Sequence, residues 1–373
     1  MSYGVHTLIL KHWIDLDQAA DILAENEYDR DDFYTQIKRL KRGKSHIFGL
    51  SNHPLLRKLD IAVTSIFRGY TAYLRLQIAP SDVLVGCKTE DIFELKEADK
   101  QLFYSNLDGI LIELFDGFPF IDKECNHWNV NYIEYAGNFF SPNVKLAISM
   151  LLKNTKDTKA KAYKEDGYAL SISRKSKHKR NSSTELYNKE ESVKALHESD
   201  YEELKEDVAG YVRFERQLGR SYLWSQIAKK DRNNDNLDYY LDDAIAKQVI
   251  ITGYTSKFAT GDFYSLNYIR EYIKDKKLVK YSESSTRSKS IKRTKVKARA
   301  GKSSISVATN NSRIRSFDKL GIAPIAIPVR ERTNFLFNPF PLAWLPKSER
   351  EHKVSNFFKF KDIKLDTTNY TYK

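Results

Sequence analysis

Several short stretches of the chain alternate apolar with polar residues, or are rich in β-branched and aromatic residues, as half-buried β-strands are. Polar or glycine-containing segments bound them, so we predict a strand in each. The predicted strands are TLILKHWI (7–14), AYLRLQI (72–78), VNYIEYAGNF (130–139), GYALSIS (167–173), TELYNK (184–189) and YVRFERQL (211–218).

Other stretches repeat apolar residues at helical spacing. Residues 96–115 and 141–154 predict helices, and in the second Ser141 is placed to cap the helix while Pro142 suits its first turn. An acidic helical connection joins the last two predicted strands. This order of elements favours an α+β fold, with a central antiparallel sheet and helices on one face.

The pattern changes near residue 231. Residues 232–240 predict a polar linker, and 241–253 and 262–279 predict helices. Residues 302–321 predict a turn and a short helix ending at Gly321, as in a helix-turn-helix, although many helical hairpins end in this way. We therefore predict three parts. They are an α+β domain (1–230), a smaller, mainly helical DNA-binding region (231–330) and a C-terminal tail (331–373).

Charge is unevenly distributed along the 373 residues, whose formal net charge is +13. Residues 285–317 contain no acidic residue, whereas 190–207 are rich in them. This segregation favours a directed contact with a polyanion such as DNA; a solvated lysine-rich loop is the alternative. The predicted DNA-binding side chains are Arg174, Lys175, Lys177, Lys179 and Arg180 in one basic turn, and Lys292, Arg293, Lys295 and Lys297 in another segment.

The remaining composition argues against several classes of protein. Two cysteines, Cys87 and Cys125, are too few for a disulfide framework, and no CxxC pair or His/Cys cluster indicates structural zinc. No run of apolar residues is long enough to span a membrane, and the N-terminus lacks the features of a signal peptide. We expect a protein of the reducing cytoplasm, without a membrane partner.

Side-chain parity predicts a cluster of reactive groups on one sheet face. Tyr187 and Lys189 share a face in one predicted strand, Arg213 and Glu215 in another, and Glu134 lies in a third. A tyrosine hydroxyl can attack a DNA phosphodiester, and two glutamates can hold Mg²⁺ (or Mn²⁺) beside it. A β-propensity tyrosine among ordinary salt bridges would give the same pattern.

The chain resembles the replication endonucleases of filamentous phages, which initiate rolling-circle replication. YVRFERQLGRSYL (211–223) is similar to that family's Val-Arg-Phe-Glu block, and ELYNKEES (185–192) to its tyrosine block. VNYIEYAGNFF (130–140), GLSNHPLL (49–56) and LRLQIAPSDVLVG (74–86) resemble three further blocks. The order and approximate spacing of the blocks hold across roughly residues 5–230.

The resemblance implies a site-specific nickase that rejoins the displaced strand. Tyr187 would be the nucleophile, Lys189 a phosphate-binding partner, and Arg213 and Glu215 would lie in the same site, with Glu134 as a metal ligand. Implied partners are origin duplex, single-stranded DNA, and a host helicase and polymerase. The chain departs from the family where Tyr132-Ile133-Glu134 replaces Arg-Ile-Asp.

The sequence leaves some points open. No His-x-His pair occurs, so the two-histidine metal site of common rolling-circle nickases cannot be assigned, and Gln77 is one candidate for a third ligand. Two other functions fit the pattern. One is a non-catalytic protein that binds an origin or operator, and the other is a plasmid mobilisation relaxase with the same chemistry.

Overall fold

A computed structural model describes most of the chain, namely residues 2–51, 53–89, 91–155, 161–162, 169–173, 182–196, 201–227, 236–273, 315–327, 331 and 333–361. The strands are β1 (Ser2–Ile14), β2 (Ser45–Gly49), β3 (Lys58–Ile66), β4 (Gly69–Ile78), β5 (Asn129–Phe140), β6 (Lys161–Ala162), β7 (Ala169–Ser173), β8 (Ser182–Asn188), β9 (Tyr211–Gly219), β10 (Phe263–Tyr264) and β11 (Phe335–Leu336). The helices are α1 (Leu16–Glu25), α2 (Arg30–Lys38), α3 (Pro80–Val85), α4 (Glu97–Phe115), α5 (Val144–Lys153), α6 (Lys189–Leu196), α7 (Tyr201–Val208), α8 (Arg220–Tyr222), α9 (Leu237–Tyr240), α10 (Asp243–Lys257), α11 (Leu266–Tyr272) and α12 (Lys347–Lys361).

The main sheet of the described residues has nine strands in the order β2-β3-β4-β1-β5-β9-β8-β7-β6. Every neighbouring pair is antiparallel. Strands β5, β9 and β8, which carry most of the predicted site, are therefore adjacent. The predicted α+β class with an antiparallel sheet is confirmed.

One face of this sheet is apolar and is covered by helix α10, which crosses β1, β5 and β9. Close packing is visible at Gly253 of α10, where an added Cβ would lie 3.3 Å from the ring of Phe214. Residues 237–258 bury their apolar side chains in the same core as the sheet, so this core contains residues from both sides of the boundary predicted at residue 230. The opposite face carries the polar side chains of the candidate site.

The ends of several elements differ from the prediction. Helix α5 begins at Val144, and its cap is Asn143, whose side chain accepts from Leu146 N, rather than Ser141. The Ser141 amide instead donates to Gly210 O, which extends the pairing of β5 with β9 by one residue. A side chain can cap the N-terminus of a helix only at the residue where the backbone enters the helix. In α5 that residue is two positions later than predicted.

Two predictions for the C-terminal half are also corrected. The predicted linker contains α9, because its apolar residues reach the core, and the predicted helix 262–279 starts as strand β10 before α11. Residues 315–319 are helical and Gly321 has φ +69, which agrees with a helix that ends there. The rest of the predicted helix-turn-helix lies outside the described residues.

Helices long and apolar enough to cross a membrane are absent from the described part of the chain.

Candidate active site

The register of β8, β9 and β5 brings the predicted site residues onto one face. Tyr187 lies opposite Arg213, and Ala136 lies opposite Glu215. Directly opposed residues in a sheet share a face, and residues two apart in one strand do as well. Glu134 therefore shares this face with Tyr187, Arg213 and Glu215, and the parity predicted from the sequence is confirmed for these four residues.

A histidine joins the cluster from β1, the neighbour of β5. Val5 and Thr7 pair with consecutive residues of β5, so His6 is the extra residue of a β-bulge, and Thr7 is the partner of Glu134. A bulge redirects a side chain without moving the rest of the strand to the wrong face. Here His6 reaches the polar face while Val5 and Leu8 both remain in the core.

The segment that contains Phe93 fixes the position of this bulge, because it pairs with β1 at Val5. Val5 N donates to Phe93 O and Phe93 N donates to Val5 O, at 3.1 and 2.9 Å. Gly4 permits this approach, because an added Cβ would lie 2.0 Å from Phe93 O. The glycine at position 4 is thus required by packing two residues before His6.

The polar groups of the site lie within hydrogen-bonding distance of one another. Tyr187 Oη donates to Glu215 Oε1 at 2.5 Å, and Tyr132 Oη donates to Glu134 Oε2 at 2.9 Å. His6 Nδ1 lies 3.0 Å from Glu134 Oε1 and 3.6 Å from Glu215 Oε1. The imidazole therefore connects the two carboxylates, and each carboxylate accepts from one tyrosine.

Both carboxylates and the nearby guanidinium are buried. Glu134 is 6% exposed, Glu215 3% and Arg213 0%. Arg213 Nε lies 3.4 Å from Glu215 Oε1, so the guanidinium supplies one positive charge next to the carboxylates. Two carboxylates removed from water and close together are costly unless further positive charge compensates them. Such a site favours a cation between the carboxylates.

The pKa values of the site report the same imbalance of charge. The pKa of Glu215 is raised to about 7, first by burial and then by the charge of Glu134, while the charge of Arg213 acts in the opposite direction. Burial likewise raises the pKa of Glu134. The pKa of the Tyr187 hydroxyl is raised well above its usual value, first by burial and then by the charge of Glu215. The tyrosine therefore needs a base if it is to act as a nucleophile.

The donor atoms of His6, Glu134 and Glu215 could hold a metal ion. They lie within 4.8 Å of one another, and ligands on opposite sides of a bound Mg²⁺ are about 4.2 Å apart. Carboxylate oxygens suit Mg²⁺ and Mn²⁺, and an imidazole nitrogen raises the affinity for Mn²⁺ relative to Mg²⁺. The third donor in this group is His6. Gln77, the candidate third ligand from the sequence, lies on β4 opposite Ile9.

We expect Mn²⁺ to stabilise the protein strongly near pH 8 and weakly near pH 5.5. Because the pKa of Glu215 is raised in the folded state, the folded protein binds more protons than the unfolded chain between about pH 4.5 and 7. The metal-free protein therefore loses stability as pH rises through this window, and the ionised carboxylates then bind metal. At a Mn²⁺ concentration of 100 Kd the gain is about 2.7 kcal/mol, a rise of several degrees in Tm.

Thermal unfolding with EDTA or Mn²⁺ at both pH values measures this difference. Glu134→Gln should lose most of the Mn²⁺ effect near pH 8. Glu185→Gln is the matched control, because Glu185 lies opposite Glu215 on β8 but outside the group of three donors. Equal Mn²⁺ effects at the two pH values, or an undiminished effect in Glu134→Gln, would exclude this metal site.

Lys189 has a local structure different from the one predicted. Strand β8 ends at Asn188, so Lys189 is the first residue of α6 rather than the last of a strand, and its side chain is buried. Its role as a phosphate partner stays a prediction. The predicted DNA-binding residues lie outside the described part of the chain; these are Arg174, Lys175, Lys177, Lys179, Arg180, Lys292, Arg293, Lys295 and Lys297.

The sequence prediction missed His6. The signal that could have indicated it is the spacing of core residues in β1, where Leu8 and Leu10 are two apart but Val5 and Leu8 are three apart. A strand that keeps both on one face must contain one extra residue between them. That residue is either His6 or Thr7, and only the pairing with β5 distinguishes them.

Comparison with known proteins adds no assignment. No protein-family model matches the chain, and a search of curated proteins finds no match. The resemblance to phage replication endonucleases therefore stays a prediction from the sequence blocks.

Proposed function

We propose that this chain is a DNA nickase with strand-joining activity that initiates rolling-circle replication, with Tyr187 as its nucleophile. The observation that supports this best is the 2.5 Å hydrogen bond from the Tyr187 hydroxyl to Glu215. The acceptor carboxylate belongs to a group of donors that suits a divalent metal. Phosphodiester transfer requires a nucleophile, a base in contact with it, and positive charge beside the phosphate. Tyr187, Glu215 and a metal held by the donor group would supply these three.

In the first step, Tyr187 Oη attacks the scissile phosphorus. A bond forms between the tyrosine oxygen and phosphorus, and the bond from phosphorus to the 3′ oxygen breaks. The tyrosine proton passes to Glu215, and the 3′ oxygen takes a proton from solvent water and leaves as a hydroxyl. The 5′ phosphate is then held on the enzyme as a phosphotyrosine, and the 3′ hydroxyl is free to prime a host polymerase.

Glu215 is suited to accept the tyrosine proton. In the metal-free protein its pKa is raised to about 7, so this carboxylate is more basic than an ordinary glutamate. The hydrogen bond already joins the donor and acceptor atoms. A general base of this kind contributes typically 10²- to 10⁴-fold to a rate.

Positive charge near the scissile phosphate is the remaining requirement. Arg213 lies next to Glu215 at full burial, where a guanidinium acts strongly on nearby charge. A divalent metal held by His6, Glu134 and Glu215 would supply Lewis-acid stabilisation of the charge that develops on the phosphate oxygens. Of the protein's own residues, Arg213 would orient the phosphate beside Tyr187.

Rejoining is the reverse transfer. The 3′ hydroxyl of a strand gives its proton to solvent water and attacks the phosphotyrosine. A phosphodiester bond forms, and the tyrosine oxygen leaves and regains its proton from Glu215. One phosphate ester bond is exchanged for another in each step, so no nucleotide cofactor is required. After a host helicase and polymerase displace a full strand, this transfer would release it as a circle.

The proposal is tested with randomised single-stranded oligonucleotides that carry a label at the 3′ end. The cleaved 3′ fragment keeps the label and bears the 5′ phosphate, so label should appear on the wild-type protein under denaturing conditions when Mn²⁺ is present. Peptide mapping should place it on Tyr187, and sequencing of the bound DNA identifies the nick site. A chain that binds these oligonucleotides but forms no adduct would be a DNA-binding protein without this activity.

A further inference from the structure

A second group of side chains lies on the polar face of the sheet, beyond the candidate site along β1. Trp13 and Tyr73 form an edge-to-face pair with ring centroids 5.4 Å apart. Lys11 Nζ lies 4.1 Å from the centroid of Trp13 and 3.4 Å from that of Tyr73. We call these three residues the Trp13 platform.

Trp13 is unusually exposed for its size. Tryptophan is normally highly buried, yet this residue is 52% exposed although its strand lies in the middle of the sheet. Packing of the core does not require it, because the neighbouring Ile14 faces the core instead. An exposed indole held in place by a cation and a second ring is a surface on which a flat ligand can stack.

Positive charge is concentrated around the platform. The pKa of Lys11 is lowered to about 8, first by burial and then by the charges of Arg220 and Arg75. Arg75 lies opposite Lys11 in the register and also pairs with Asp60. Several cations kept close together despite their repulsion favour an anionic ligand.

The platform and the candidate site belong to one continuous surface. Thr7 pairs with Glu134, and residues 9, 11 and 13 follow Thr7 on the same face because side chains alternate along a strand. At about 3.3 Å per residue, Trp13 lies about 20 Å from Thr7 along β1. An extended strand a few nucleotides long would reach from the site to the platform.

We propose that the Trp13 platform binds the single-stranded DNA that enters the candidate site, with one base stacked on Trp13 and phosphates near Lys11 and Arg220. This inference rests on the proposed function, since it assigns a binding subsite to the same DNA. Stacking on an aromatic side chain requires an unpaired base, which excludes an intact duplex. The surrounding cations favour a nucleic acid over an apolar protein partner.

The test measures binding of a short fluorescein-labelled oligothymidine by anisotropy, in EDTA so that no cleavage occurs. Trp13→Ala should raise the Kd roughly 5- to 150-fold, because stacking of a base contributes about 1–3 kcal/mol. Trp13→Phe should restore much of the affinity. Phe67→Ala is the matched control, since Phe67 is 69% exposed, has Arg42 4.4 Å from its ring centroid, and lies in the turn between β3 and β4.

The outcomes separate this inference from the proposed function. An unchanged Kd in Trp13→Ala, or an equal loss in Phe67→Ala, overturns the platform whether or not the wild type forms an adduct. An equal loss of affinity for a blunt duplex overturns the assignment to single strands. A specific loss of single-strand affinity supports the platform even if the wild type forms no adduct, and in that case only the nickase activity is wrong.

Discussion

Tyr187→Phe is expected to abolish the covalent adduct with DNA. The substitution removes only the hydroxyl oxygen, which is the atom that would bond to phosphorus, so no slower form of the same step remains. The ring keeps its place in β8, and the lost hydrogen bond to Glu215 changes stability by about 1 kcal/mol. The 3′-labelled oligonucleotide assay, with anisotropy for binding, measures both effects.

Tyr132→Phe is the matched control for this substitution. Tyr132 is the second tyrosine of the site, and its hydroxyl donates to Glu134 at 2.9 Å. Removing that hydroxyl should leave adduct formation intact and reduce its rate only modestly. If Tyr132→Phe loses the adduct and Tyr187→Phe keeps it, the nucleophile is Tyr132 and the assignment made from the sequence block is wrong.

Strand parity made much of the site predictable from the sequence. In β8, β9 and β5 the alternation of polar and apolar residues is regular, so the face of Tyr187, Arg213, Glu215 and Glu134 followed from spacing once those strands were assumed to be neighbours. The neighbourhood itself depends on long-range pairing between residues about 80 positions apart along the chain, which local pattern does not specify.

The contribution of His6 was not predictable in the same way. Its position depends on a bulge that is fixed by the backbone contact between Val5 and Phe93 and by the space at Gly4. The spacing of Val5 and Leu8 indicates an extra residue, but it does not distinguish His6 from Thr7, and neither contact is visible in the sequence pattern. The same limit applies to the cap of α5, where Ser141 and Asn143 are both good capping residues and the backbone path decides between them.

Glu215→Gln should lower the rate of adduct formation by about 10²- to 10⁴-fold. Glutamine has nearly the same shape and still accepts the hydrogen bond of Tyr187, but it cannot take the tyrosine proton. It also withdraws one negative ligand from the metal. Glu134→Gln removes only a ligand, so raising Mn²⁺ should restore its rate in part, whereas Glu215→Gln should stay slow at saturating Mn²⁺.

Stability distinguishes this loss of function from damage to the fold. The raised pKa of Glu215 means that its ionised form destabilises the metal-free protein above about pH 7. A glutamine cannot ionise, so Glu215→Gln should have a Tm in EDTA near pH 8 that equals or exceeds that of the wild type.

Glu185→Gln, the same change on the opposing residue of β8, should keep the rate within several-fold of wild type. A rate in Glu215→Gln close to that of the wild type would exclude Glu215 as the base, and wild-type adduct formation that persists in EDTA would exclude a carboxylate-bound metal. A large fall in Tm would instead assign Glu215 to holding Arg213 in the core.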